Sequence, residues 1–171
     1  MRKGAIYKCR GFAPAVLCIV ALAFAIWPQP ARGVSPQATN AILHQCVDAE
    51  RAAGHSGRAC IGKVTGPCKA RPENTHREDQ MECDEREFVL WSQLLQKEFF
   101  ALEKRLNPQQ REKLRRSQAL WVKYQSDDCR LPYVLFSQER AESAGPACTI
   151  ELKAARALQL RAWRDALSQG Q

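Results

Sequence analysis

From Val34 onward, apolar residues recur at three- and four-residue steps and no stretch alternates cleanly with period two, a pattern that predicts an all-α domain. Ser35 and Pro36 read as N-cap and first residue of a helix running to about Ala53, with Ala38, Ile42, Gln45, Cys46 and Ala49 on one face and Gly54 and Gly57 ending it. Residues 57–75 carry Gly62, Gly66, Pro67 and Pro72 beside Cys60 and Cys68, which suits a cross-linked loop and not a helix. The longest helix is expected over about Glu78 to Leu106, with Phe88, Trp91, Leu95, Phe99, Leu102 and Leu106 on its core face.

Asn107, Pro108 and Gln110 then read as N-cap, N1 and N3 of a second long helix, a capping box in which the Gln110 side chain reaches back to the Asn107 amide. So tight a connection predicts an antiparallel hairpin. Leu114, Ser117, Gln118, Trp121 and Tyr124 share one face of the second arm, so aromatic residues of both arms are expected to meet in the core. After an irregular segment containing Leu131 to Phe136 and Gly145, a last amphipathic helix is expected from about Pro146 to Leu167, packing through Ile150, Ala154, Ala157, Leu158 and Trp163. The predicted architecture is a small helical bundle built on a long antiparallel helical hairpin and cross-linked by disulfides.

Residues 1–33 change the picture of where the chain works. Arg2, Lys3, Lys8 and Arg10 precede an apolar run from Ala13 to Trp27, and Ala31 and Gly33 supply small residues for cleavage before Val34, the layout of a signal peptide. The run is short of the ~20 apolar residues of a membrane-spanning helix, and an uncleaved anchor is the alternative. Residues 34–171 then form a single domain in the periplasm or outside the cell, with no stable membrane insertion after cleavage. Cleavage removes Cys9 and Cys18 and leaves six cysteines, an even number that reads as disulfides in an oxidising compartment. Cys129 and Cys148 form the pair expected on proximity, closing a loop of 18 intervening residues for which chain entropy gives roughly 3 kcal/mol. The other four cysteines allow three pairings, and the expectation adopted is Cys60 with Cys68 and Cys46 with Cys83.

Charge narrows the partners. The whole chain carries 26 basic and 18 acidic residues, but the first 33 residues hold five of the basic ones and none of the acidic ones. The remainder has 21 against 18, a net charge of +3 that implies no nucleic-acid partner. His76 lies near Cys60, Cys68 and Cys83, but no Cys-x2-Cys or His-x3-His knuckle is present, so no metal or other cofactor is expected. His44, His55 and His76 stand in no His-Glu-x2-His motif, and there is no Gly-x-Ser-x-Gly elbow or phosphate loop; binding is expected, not catalysis.

One succession of residues is specific. Cys60-Ile-Gly-x5-Cys68, Thr75, Cys83-x3-Glu87-x3-Trp91-x3-Leu95, Gln118-x2-Trp121-x2-Tyr124-x4-Cys129, Cys148 and Arg156-x3-Leu160 follow in order. Over about residues 46–160 the chain resembles the bacterial lysozyme inhibitor LprI-like family. The resemblance implies an exported α-helical domain that protects the cell wall by binding lysozyme. The pattern departs where Gln125 and Ser126 replace an Arg-Asp pair, and where a single Gly145, followed by Pro146, replaces a Gly-Gly stretch.

Two charged groups are candidate contact surfaces. Asp127, Asp128, Glu139 and Glu142, around the Cys129 to Cys148 loop, would meet a cationic lysozyme. Arg111, Lys113, Arg115 and Arg116 would serve the alternative, an envelope structural or stress module that binds an anionic surface or another periplasmic protein.

Overall fold

A computed structural model of the chain describes residues 36–169; the expected signal segment lies outside them. Six α-helices follow in order: α1 Pro36–Ala52, α2 Thr65–Lys69, α3 Arg77–Glu103, α4 Pro108–Asp128, α5 Leu131–Leu135 and α6 Gln138–Gln169, with a 3-10 turn at Arg58–Cys60 between α1 and α2. Among the described residues there is no strand, and no helix is long and apolar enough to cross a membrane.

The core forms where α6 lies along α3. Leu90, Trp91 and Leu94 of α3 cluster with Ile150, Ala154 and Ala157 of α6, and Leu43 and Val47 of α1 with Cys60 and Val64 complete the group. The small side chains at 154 and 157, both fully buried, leave room for the equally buried Trp91. Each fully buried large apolar side chain contributes about 1.5 to 3 kcal/mol, and Leu43, Leu94 and Leu160 are buried as deeply as Trp91, so the stability is spread over this seam. A second cluster of Leu102, Leu114 and Leu160 lies where α4 joins α3 and α6.

Two glutamates sit inside the α3 stripe, wholly or almost wholly buried. The Glu87 carboxylate accepts from the Trp91 indole Nε1 at 3.1 Å and from the backbone N–H groups of Gly62, Val64 and Thr65 at 2.6, 3.1 and 2.7 Å. Glu98 pairs with Arg164 of α6. A buried carboxylate is tolerated only when it is hydrogen-bonded or paired, Glu87 by four N–H donors and Glu98 by the Arg164 guanidinium.

Several expectations shift. The buried face of α3 runs through Glu87, Leu90, Leu94 and Glu98, leaving Phe88, Leu95 and Phe99 half-buried. On α1 the buried residues are Leu43 and Val47, while Ile42 is exposed. Residues 57–75 contain a 3-10 turn and a helix, because Glu87 satisfies the free N–H groups that precede and open α2. The last helix begins eight residues before Pro146, with the Ser137 carbonyl accepting from Ala141 N–H at 2.9 Å. Pro146 leaves one carbonyl of α6 without its usual donor, and burial of Ala141 and Gly145 against the rest of the domain offsets that loss. The capping box at Asn107 and Gln110 is present, with both reciprocal hydrogen bonds. The principal packing partner of α3 is α6, however, and α4 meets the end of α3 only through Leu114 and Arg115 at its own start, so Trp121 is only half-buried and Tyr124 is exposed.

The disulfides are Cys46–Cys60, Cys68–Cys83 and Cys129–Cys148. The expected pairs Cys60 with Cys68 and Cys46 with Cys83 are therefore incorrect. Gly57, at φ 83°, turns the chain so that Cys60 comes back over α1 with its Cα 5.8 Å from that of Cys46. Helix α2 then presents Cys68 to the start of α3, 5.7 Å from Cys83.

Candidate interaction surface

The apolar run between Cys129 and Cys148 forms a projecting tip. The backbone leaves α4 at Cys129, turns at Arg130, makes the single helical turn α5 and re-enters helix at Gln138. Pro132, at the start of α5, favours so short a helix. The Cys129–Cys148 bond ties the base of the tip to α6. No residue of α5 is buried: Leu131, Tyr133, Val134, Leu135 and Phe136 are all exposed, Val134 to 79% and Leu135 to 66%. So many large apolar side chains in water make this run the candidate contact surface.

One side chain fixes how the tip is held. A Cβ placed on Gly145 would lie 2.5 Å from Tyr133 Cε2, so the Tyr133 ring rests directly on the α6 backbone. Beside it a cavity of about 280 Å³ opens between α3, α5 and α6, lined by Met81, Phe88, Tyr133, Pro146 and Ile150 among others. At the distal end the Arg140 guanidinium lies 5.6 Å over the Phe136 ring.

The four acidic candidates divide. Asp127 is exposed with no ion pair among the described residues, and Asp128 accepts a 3.3 Å hydrogen bond from the Tyr124 hydroxyl. Glu139 and Glu142 line a separate groove of about 630 Å³ with Lys69, Arg77 and Asp84. There Gln138 donates to Glu142 at 2.9 Å and Arg77 lies 2.5 Å from it, and these two partners hold its carboxyl below the ordinary range. In the same groove Lys69 pairs with Asp84 at 2.7 Å.

The basic candidates divide as well. Arg115 is 2.5 Å from Glu103, and Arg111 is half-buried, which leaves Lys113 and Arg116 as exposed cations without an ion pair among the described residues. Among the described residues no cluster of three His, Cys, Asp or Glu side chains could hold a metal.

Leu131 to Phe136, expected to be irregular, instead form the short helix α5 and its C-cap. The signal for the tip is present all the same: an apolar run with no polar face, bracketed by two cysteines that bond to each other. The landmark residues fare differently from one another. Cys83, Glu87 and Trp91 are buried framework, whereas Gln118, Trp121 and Arg156 gather between α4 and α6.

Residues 68–160 match the model of the family described as Lysozyme inhibitor LprI, a span from the cysteine of α2 to Leu160 of the second core cluster. No curated protein and no solved structure matches the chain.

Proposed function

The chain belongs to the LprI family of lysozyme inhibitors, and from that premise we propose that it binds a lysozyme in the periplasm through the α5 tip and blocks it without catalysing a reaction. The exposed run Leu131–Phe136 carries the reading, because a rigidly held apolar projection can enter a cleft with little loss of conformational freedom. The disulfide at its base and the Tyr133 ring on Gly145 supply that rigidity. Asp127 and Glu139, one on each side of α5 in the chain, would border the contact with carboxylates suited to a cationic partner.

The test uses the processed, oxidised protein in molar excess over lysozymes of several classes, with cell-wall hydrolysis as the readout. Inhibition of at least one class is expected, together with its loss in Val134→Asp and Leu135→Asp and its retention in Lys113→Glu and Arg116→Glu. Unchanged hydrolysis by every class, with no complex detected, would sink the proposal. Inhibition abolished by the α4 charge reversals and not by the tip variants would move the contact to the basic face.

A further inference from the structure

Arg156 is the one arginine of the α6 interior whose charge the protein leaves uncompensated. It is 6% exposed. Nε donates to Gln118 Oε1 at 3.0 Å, Nη1 to Gln159 Oε1 at 2.7 Å and Nη2 to Ser117 Oγ at 3.2 Å, all neutral acceptors. Its guanidinium carbon lies 6.0 Å from the Trp121 ring and 5.5 Å from the Trp163 ring. Among the described residues no carboxylate is within ion-pair distance. Along the same helix Arg161 is paired with Asp48, and Arg164 with Glu98 and Asp165. Burial without a counter-charge lowers the Arg156 pKa, whereas the carboxylates around Arg164 raise that of Arg164 despite its burial.

The side chain also borders open space. A cavity of about 410 Å³ lies between the turn after α1, α4 and α6, walled by Trp121, Leu152, Ala155 and Leu158, with Arg156 and Gln159 among its polar lining. Arg58 stands at the same cavity, already paired with Glu151. A guanidinium has five N–H donors, and these three hydrogen bonds leave one N–H on each terminal nitrogen for a planar acceptor. A buried, forked cation beside apolar and aromatic walls is complementary to one chemistry: a carboxylate attached to a short apolar group.

We propose that this cavity is a binding site for small amphipathic carboxylates, either free or at the end of a peptide, with Arg156 as the counter-charge and Trp121, Leu152 and Leu158 holding the apolar part. It uses no residue of the α5 tip and stands or falls independently of lysozyme binding. The bland competing role for Arg156 is that of a pin between α4 and α6, which needs no ligand.

The experiment titrates the processed, oxidised protein with N-acetyl-phenylalanine, with its uncharged amide and with an Ala-Ala-Phe peptide carrying a free or an amidated chain end. Nuclear magnetic resonance follows the Arg156 Nε–H and the indole N–H signals of Trp121 and Trp163. Saturable shifts of all three signals below about 10 mM are expected for the carboxylates, with at least tenfold weaker binding of each amide, the factor that corresponds to about 1.4 kcal/mol. Binding of the small acid but not the peptide would identify a free metabolite as the ligand class, and binding of both a chain end. Ala155→Phe should put a ring into the cavity beside Trp121 and Leu158 and weaken the shifts at least tenfold without removing a partner of the Arg156 hydrogen bonds. Equal response to acid and amide, or no saturable shift, would overturn the site and leave Arg156 a pin.

Discussion

The Glu87 carboxylate accepts from the Trp91 indole one turn further along α3 and, through the same Oε1, from the Gly62 N–H 25 residues earlier. One buried anion thereby fixes the core tryptophan and orders the start of α2. Glu87→Gln keeps the shape but turns an acceptor-only group into one with an N–H2 facing N–H donors. A loss of about 2 to 4 kcal/mol is expected, since hydrogen bonds to a charged group are the strong ones and orphaned buried donors are costly. Urea unfolding of the oxidised protein measures it, and a change within about 0.5 kcal/mol, the range of ordinary surface substitutions, would contradict the arrangement.

His44 gives the fold a pH dependence of known sign. Partial burial, and then the nearby Lys97, hold its pKa below the ordinary value, against the opposing pull of Asp48. The unfolded chain therefore binds the proton more readily. The associated stability is complete above about pH 6.5 and declines as pH falls through the folded pKa. Thermal midpoints should fall between pH 7.5 and 5.5, and His44→Gln should flatten that slope.

Gly145→Ala tests the seat of the tip. The new methyl would meet the Tyr133 ring at 2.5 Å, so the half-exposed ring must leave its seat, at a cost of about 1 kcal/mol, the low end for overpacking. Tyr133→Ala in the same chain should remove most of that cost, because it removes the obstacle. Additive losses in the double variant would show that the ring does not rest there.

Removing Cys68 and Cys83 together should cost about 3 kcal/mol by the entropy of a loop this short. Peptide mapping without reduction should recover Cys46 with Cys60, Cys68 with Cys83 and Cys129 with Cys148. Any peptide joining Cys60 to Cys68 would contradict the fold around α2.

What the sequence reveals depends on how far each signal reaches along the chain. The capping box at Asn107 was legible because donor and acceptor are three residues apart. Helix α2 was not, because its cap comes from Glu87, 22 residues beyond Thr65. The α3 face was misplaced for a related reason. Reading Glu87 and Glu98 as solvent-facing pushes the apolar stripe toward Phe88, Leu95 and Phe99, and only tertiary partners on other elements make two buried carboxylates tolerable. Within the candidate interaction surface, the Cys129 and Cys148 anchors were legible from their spacing. Glu142 there, and Arg115 on the basic face of α4, were legible as residues, but their ion pairs with Arg77 and Glu103 were not.

The three disulfides join the first cysteine of residues 36–169 to the second, the third to the fourth and the fifth to the sixth, with separations of 14, 15 and 19 residues. A chain oxidised from its N-terminal end as it enters an oxidising compartment thus meets each native partner before the next competitor arrives. Correct cross-linking requires no reshuffling, so the protein should mature with a simple thiol oxidant and without a disulfide isomerase.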